Sequence, residues 1–244
     1  MTEQPDHDTR ATQAARTRRR PAPPPAVERA TAHVRSGGLL VLPTDTVYGI
    51  GALARDAGAV ARLLAAKGRG RRMPPPVLVA GADQLDGVVA GTPPAARALI
   101  EACWPGALTL VLDAAPRLSW DLGETGGTIA VRMPDHPLTL ALLRATGPMA
   151  VTSANRTGRP PATDAASARA AFPSGGDGPG DIVVLDGGPT PGPVPSTIVS
   201  LAADRAEAPV VLRDGVLSRA ALAAVLRAAG AAAPAGAADG EDGA

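Results

Sequence analysis

Short runs of largely apolar residues recur along this chain: Leu39-Leu40-Val41-Leu42, Ala107-Leu108-Thr109-Leu110-Val111-Leu112 and Met149-Ala150-Val151-Thr152. Each has strand length and each is closed by a glycine or a polar residue, which bounds a buried strand. Between them lie segments with apolar residues at helical spacing. One runs from Val27 through Val34 to a stop at Gly37-Gly38, one follows an Asp56 cap through Val60, Leu63 and Leu64 to Lys67, and one runs from Pro93 to Cys103. Further strands are expected at 76–79, 128–132, 182–185, 196–200 and 210–213, and further helices over 137–145, over 164–171 and after a Ser218 cap. Short strands interleaved with helices predict an α/β fold, and crossovers of uneven length predict a twisted, mixed, open sheet. No internal repeat is visible, and the pattern is that of one domain over residues 26–228.

The 244 residues are 45% hydrophobic and only 2% aromatic, so the core must be built from Ala, Val and Leu. A formal net charge of +1 is unlike that of a domain that sheathes nucleic acid, and any RNA contact is expected to be local and weak. One cysteine, Cys103, and three scattered histidines give neither an intramolecular disulfide framework nor a zinc-type cluster. No run approaches the ~18 apolar residues of a membrane span, and Arg18-Arg19-Arg20 is followed by proline and not by an apolar signal core. These features predict a cytoplasmic protein without a membrane partner. Residues 1–25 and 229–244, and a Ser174-Gly175-Gly176 linker, have the composition of disordered segments.

Lys67 is the only lysine beside many arginines, Asn155 the only asparagine and Tyr48 the only tyrosine. In an Ala-, Gly-, Arg- and Pro-rich chain a lysine without a duty would drift to arginine, so the three one-off residues point to one site assembled from distant segments. Lys67 is expected in or beside a solvent-lined basic loop. Polar residues also stand where expected strands stop: Thr44 and Thr46, Arg132, Ser153 and Asn155, Ser196 and Thr197, Arg213. Ligands of open α/β sheets bind beyond strand ends, and convergence of Lys67, Arg69, Arg132 and Arg213 there would suit phosphate or carboxylate. Taken singly, each has a plainer reading, as a solvated arginine, a turn or a loop cap. The joint pattern carries the argument.

Other chemistries are weaker. Lys67 lacks the preceding glycines and following hydroxyl of a phosphate-binding loop, and no Gly-x-Ser-x-Gly elbow is present. Cys103 reads as a core thiol, and His7, His33 and His136 have no evident acid or metal partner.

Several motifs, taken in order, resemble the YrdC/Sua5 family of L-threonylcarbamoyladenylate synthases. They are Pro43-Thr44-Asp45-Thr46-Val47-Tyr48-Gly49, the Lys-x-Arg of Lys67 and Arg69, Trp104-Pro105-Gly106, 128–134, Ser153-Ala154-Asn155 with Gly158 and Pro160, Ser196-Thr197-Ile198 and Arg213-Asp214-Gly215. The resemblance covers about residues 27–226. It implies one YrdC-like domain with a concave basic ligand-binding face. It also implies an enzyme that makes threonylcarbamoyl-AMP and pyrophosphate from L-threonine, bicarbonate and ATP with Mg2+, for threonylcarbamoylation of adenosine 37 in tRNA by a downstream transferase. The chain looks like the short form, without the second domain of the longer Sua5 type.

Carried onto this sequence, the resemblance gives Lys67, Arg69, Ser153 and Asn155 to the transferring phosphorus and triphosphate. Thr128, Thr163 and Arg213 go to the nucleotide, and Arg132 with Thr44, Thr46 and Ser196 to threonine. No protein metal ligand is implied. The chain departs from the family pattern at Gly70, Pro75 and Leu78, the last standing where a histidine often reads threonine. Two other readings stay open: a YrdC-like RNA-binding module gripping phosphates through Arg69, Arg71 and Arg72, or a copy without adenylate-forming activity. The related domain of hydrogenase maturation proteins is disfavoured because its acylphosphatase and zinc-finger partners are not in this sequence.

Overall fold

The computed structural model describes residues 24–172, 181–202, 205 and 208–236. The expected Ser174–Gly176 linker and most of the N-terminal tail lie outside them. Among the described residues a single ten-stranded sheet runs in the order β10-β9-β8-β4-β5-β3-β6-β2-β1-β7. The strands are β1 Leu39–Leu42, β2 Gly49–Leu53, β3 Val77–Leu78, β4 Leu108–Asp113, β5 Thr128–Arg132, β6 Met149–Ser153, β7 Ile182–Val184, β8 Thr197–Ser200, β9 Val210–Arg213 and β10 Ala235–Gly236. The helices are α1 Pro25–Arg35, α2 Ala57–Lys67, α3 Pro94–Cys103, α4 Pro137–Thr146, α5 Ala165–Ala171 and α6 Arg219–Ala228, with a short 3-10 turn at Ala82–Leu85. The sheet is mixed: β1 pairs antiparallel with β2 and parallel with β7, and β4 antiparallel with β5 and parallel with β8.

Alternation along the strands separates two layers. Leu39 and Val41 of β1 join one large core with Leu108, Leu110 and Leu112 of β4, Ile129 and Val131 of β5 and Val199 of β8, covered by α2, α3, α5 and α6. Leu40 and Leu42 join a second cluster on the opposite face, under α1 and α4. A four-residue strand can therefore be apolar throughout, because both its faces are buried. The second cluster covers the β1–β2–β6 half and reaches Leu78 of β3. Over β4, β5 and β8 the same face presents Thr109, Val111, Thr128, Ala130, Arg132 and Ile198 to an open cleft.

Local signals explain most element ends. Asp56 Oδ1 accepts from Ala59 N at 2.9 Å, and Asp164 with Ser167 forms a reciprocal capping box on α5. Gly68, at φ 65°, ends α2 in the left-handed conformation that glycine adopts without strain. Two elements differ from the sequence reading. No strand was expected at β2, since Gly49-Ile50-Gly51-Ala52-Leu53 lacks β-branched residues apart from Ile50; pairing on both edges, with β1 and β6, decides it instead. Ala235–Gly236 lies within the expected C-terminal tail yet pairs with β9, because a backbone ladder needs no side-chain signal.

The glycines of β2 are required by packing. A Cβ on Gly51 would come within 2.6 Å of both Ala150 O and Val151 Cγ2 across the β2–β6 pair. Gly51→Val is expected to destabilise the protein by ~1–3 kcal/mol through overpacking, read as a lower urea midpoint with an unchanged m-value.

Candidate active site

The cleft has a volume of about 580 Å³ and is walled by the ends of β4, β5, β6, β8 and β9, by the 44–49 loop and by the 72–76 proline run. It brings together Thr44, Thr46, Arg69, Thr128, Arg132, Ser153, Ser196 and Arg213, as the sequence reading expected. Lys67 and Asn155 stand behind this wall and Thr163 lies outside it, its carbonyl accepting from Thr190 N at 2.8 Å.

Arg132 is the most constrained of these side chains. It extends from β5 with only 6% of its surface exposed, and three bonds from two segments fix its guanidinium. Nε donates to Gly106 O at 2.9 Å, one terminal nitrogen to Thr46 Oγ1 at 3.1 Å and the other to Asp45 Oδ1 at 2.6 Å. Burial pulls its pKa below the ordinary arginine value, and the Asp45 carboxylate opposes that shift. The Thr44 hydroxyl donates to Val47 O at 2.6 Å and lies 3.0 Å from Thr46 Oγ1. With its own proton spent on Val47, Thr44 accepts from Thr46, so donation runs one way, from Arg132 through Thr46 and Thr44 to Val47 O.

Arg69 and Arg213 form a second group. Arg69 donates to Thr152 Oγ1 at 3.0 Å, while its Nε is buried without a partner among the described residues. Burial lowers its pKa. Arg213 donates to Ser196 O at 2.8 Å; desolvation, then the charges of Arg132 and Arg69, lower its pKa in turn. No salt bridge to Arg69 or Arg213 occurs among the described residues, whereas Arg132 is paired with Asp45. Arg132 is thus part of a neutralised pair among hydroxyls, while Arg69 and Arg213 add uncompensated positive charge to the same cleft, suited to a polyanion.

Lys67 departs from its expected setting. It ends α2 with 2% exposure and is no part of a solvent-lined loop. Its ammonium donates to Ser153 O at 2.6 Å, to Asn155 O, and to Asn155 Oδ1 at 3.2 Å. The chain's only lysine and only asparagine are therefore partners. The Asn155 amide in turn donates to Arg156 O and Arg159 O, at 3.0 and 2.7 Å, pinning the turn beyond β6. Burial, then the nearby Arg69 charge, pushes Lys67 down to about 7. Yet all three oxygens around it can only accept, which favours retaining every proton. Gly68 separates the two cations: the left-handed turn sends Lys67 inward and Arg69 to the cleft wall.

Tyr48 also lines the cleft, but its hydroxyl donates outward to Gly188 O at 2.7 Å and accepts from Gly187 N, so it braces a loop; burial raises its pKa. Sequence reasoning missed Asp45, Thr109 and Thr152. Thr109 was visible as a lone hydroxyl on the alternate face of an apolar strand, and it meets Ser196 Oγ at 2.8 Å. Among the described residues no group of three or more His, Cys, Asp or Glu could hold a metal ion, and no helix is long and apolar enough to cross a membrane. His33 binds the carbonyls of Leu39 and Asp181, and burial raises the Cys103 thiol's pKa.

Residues 32–215 match the Sua5/YciO/YrdC family model, described as "Telomere recombination". The chain belongs to the Sua5/YciO/YrdC family. A Mycobacterium tuberculosis protein named "Putative threonylcarbamoyl-AMP synthase" is 51% identical over 193 residues, covering 79% of this chain and 85% of that protein. The Bacillus subtilis threonylcarbamoyl-AMP synthase is 40% identical over 205 residues, covering 83% of this chain and 57% of its own length. The crystal structure of P. abyssi Sua5 complexed with L-threonine superposes with a TM-score of 0.74 at 35% identity, over 82% of this chain and 57% of that one. Within this Sua5/YciO/YrdC fold, Leu78 is 4% exposed, registers with Arg132 across β3 and β5, and presents an apolar surface where the second core cluster meets the cleft.

Replacing Lys67 takes the ammonium donor from Asn155 O and Asn155 Oδ1 and leaves Ser153 O with the Asn155 N–H alone. Lys67→Met, which keeps the volume, is expected to lower stability by ~1–3 kcal/mol in guanidinium denaturation.

Proposed function

We propose that the chain is a threonylcarbamoyl-AMP synthase acting on L-threonine, bicarbonate and ATP. The observation that carries this reading is the unequal compensation of three arginines in one cleft: Arg132 is paired with Asp45 among hydroxyls, while Arg69 and Arg213 have no carboxylate partner among the described residues. An amino acid with one carboxylate suits the first and a triphosphate the other two. The likeness to proteins named for this reaction, and to a Sua5 structure complexed with L-threonine, supports the same assignment.

In this reading threonine's amine and bicarbonate combine to the carbamate with loss of water. A carbamate oxygen then forms a bond to the α-phosphorus of ATP, the bond from that phosphorus to the bridging oxygen breaks, and pyrophosphate leaves. Negative charge builds on the transferring group and the leaving pyrophosphate, and fixed cations that need no reorganisation lower that barrier. Arg132 clamps the amino-acid carboxylate, with Thr44, Thr46 and Ser196 beside it. Arg69, whose Nε lacks a partner, and Arg213 receive phosphate oxygens, and Thr128 borders the nucleotide. Lys67 and Asn155 hold the Ser153 turn in register with that charge. Direct contact of Lys67 with a phosphate requires exchange of one of its three present acceptors, and Thr163 acts at one remove. Mg2+ would arrive on the phosphates, held by them and by water, and would neutralise part of their charge.

The product would pass in the cytoplasm to a transferase that modifies tRNA. The RNA-binding alternative draws less support, since Arg71 is held by Asp121 at 2.7 Å, Arg72 lies 3.8 Å from Glu124, and Arg69 faces the cleft.

Pyrophosphate release from ATP is expected only with both L-threonine and bicarbonate present. Release independent of threonine, or none from folded protein, overturns the reading. Arg132→Gln should raise the threonine KM by about 30-fold or more, in keeping with ~2 kcal/mol or more for one partner of a buried charge pair, while the ATP KM moves little.

A further inference from the structure

Asp45 has no place on the cleft wall, though its neighbours Thr44 and Thr46 both line it. Its side chain is 15% exposed and its Oδ1 accepts from Arg132 at 2.6 Å and from Asp135 N at 3.0 Å. The second bond ties the carboxylate to the backbone beyond β5, so its position does not depend on Arg132 alone. Arg132 has five N–H groups, of which three are used: on Gly106, Thr46 and Asp45. One N–H remains on each terminal nitrogen, the pair needed to grip a carboxylate bidentately. Which way that pair points is decided by the three bonds already made, and only the bond to Asp45 joins the guanidinium to an opposite charge.

We propose that Asp45 is the positioning residue that aims and charge-compensates Arg132, and so sets how tightly the cleft holds the amino-acid substrate. This rests on the function proposed above only for the identity of that substrate. Without the carboxylate, Thr46 and Gly106 still hold the guanidinium, but nothing balances its charge in a site of 6% exposure, and it has one fewer fixed direction. It also repels Arg213, whose pKa its charge already lowers.

The test compares wild type with Asp45→Asn, which keeps an oxygen acceptor but removes the charge, and with Asp45→Glu, which keeps the charge but displaces it. In pyrophosphate release both variants should raise the threonine KM about ten-fold and leave the ATP KM within two-fold. In an Arg132→Gln background Asp45→Asn should add nothing further, since the two residues act as one unit. Wild-type kinetics in both variants, equal loss for both substrates, or effects that multiply with Arg132→Gln would each overturn the proposal.

A second measurement is independent of activity. In 15N-arginine-labelled protein, assigned through Arg132→Gln, the Arg132 Nε–H should be protected from solvent exchange and lose at least ten-fold of that protection in Asp45→Asn and Asp45→Glu. Unchanged protection in the variants sinks the positioning role even if no catalysis is found, whereas protection lost in the variants of a wild type that proves inactive would indict only the assigned reaction.

Discussion

The structure depends on one asymmetry of its sheet. One face is covered by a single large apolar cluster, while the other is closed over β1, β2 and β6 and as far as Leu78 of β3, by α1 and α4. Strands in the first half carry apolar side chains to both faces. Strands in the second half carry them to one face and a mixed set to the other, Thr109, Thr128 and Arg132 beside Val111, Ala130 and Ile198, so that surface is open to ligand. A cleft floored by paired backbone is rigid, and the residues on it hold their directions without help from the ligand.

Charge is arranged in the same economical way. Three of the arginines lining the cleft differ in their compensation. Arg132 is buried, paired and hydrogen-bonded from two segments; Arg69 is half-buried and its buried Nε–H is unused; Arg213 leans on the Ser196 carbonyl at the rim. Burial alone penalises each of them, and an anion bound by Arg69 and Arg213 would offset that penalty. Lys67 is the most extreme case, an ammonium with no carboxylate that is held by carbonyl dipoles of the turn it stabilises. The turn and the lysine are therefore mutually dependent: each satisfies groups the other would leave buried and unpaired.

Much of this was legible in the sequence because it rests on local signals. The caps at Asp56, Asp164 and Ser218, the stop after α1 and the apolar periods of α2 and α6 each act within a few residues. The mixed sheet followed from the uneven crossovers. β2 and β10 were not legible, since glycine and alanine carry no strand signal and only neighbouring edges make them strands. In the site, polar residues at strand ends identified the wall but not its depth. Nothing in Ala65-Ala66-Lys67-Gly68-Arg69 says that one cation is core and the next is surface; the left-handed glycine decides it.

The one-off residues show why composition can find a site without finding its chemistry. Lys67 and Asn155 stand out because no arginine or aspartate would satisfy the same acceptors. A guanidinium is too broad for three convergent carbonyl oxygens, and a carboxylate at 155 could not donate to Arg156 O and Arg159 O. Asp45 is invisible by that criterion, being one of many carboxylates in the chain, yet it alone bonds the guanidinium of Arg132 through a charge. Rarity marks a residue whose geometry has no substitute. A common residue acquires its importance from the partner it meets, and that meeting is fixed by the 43–49 loop folding back over β5, a contact between segments almost ninety residues apart.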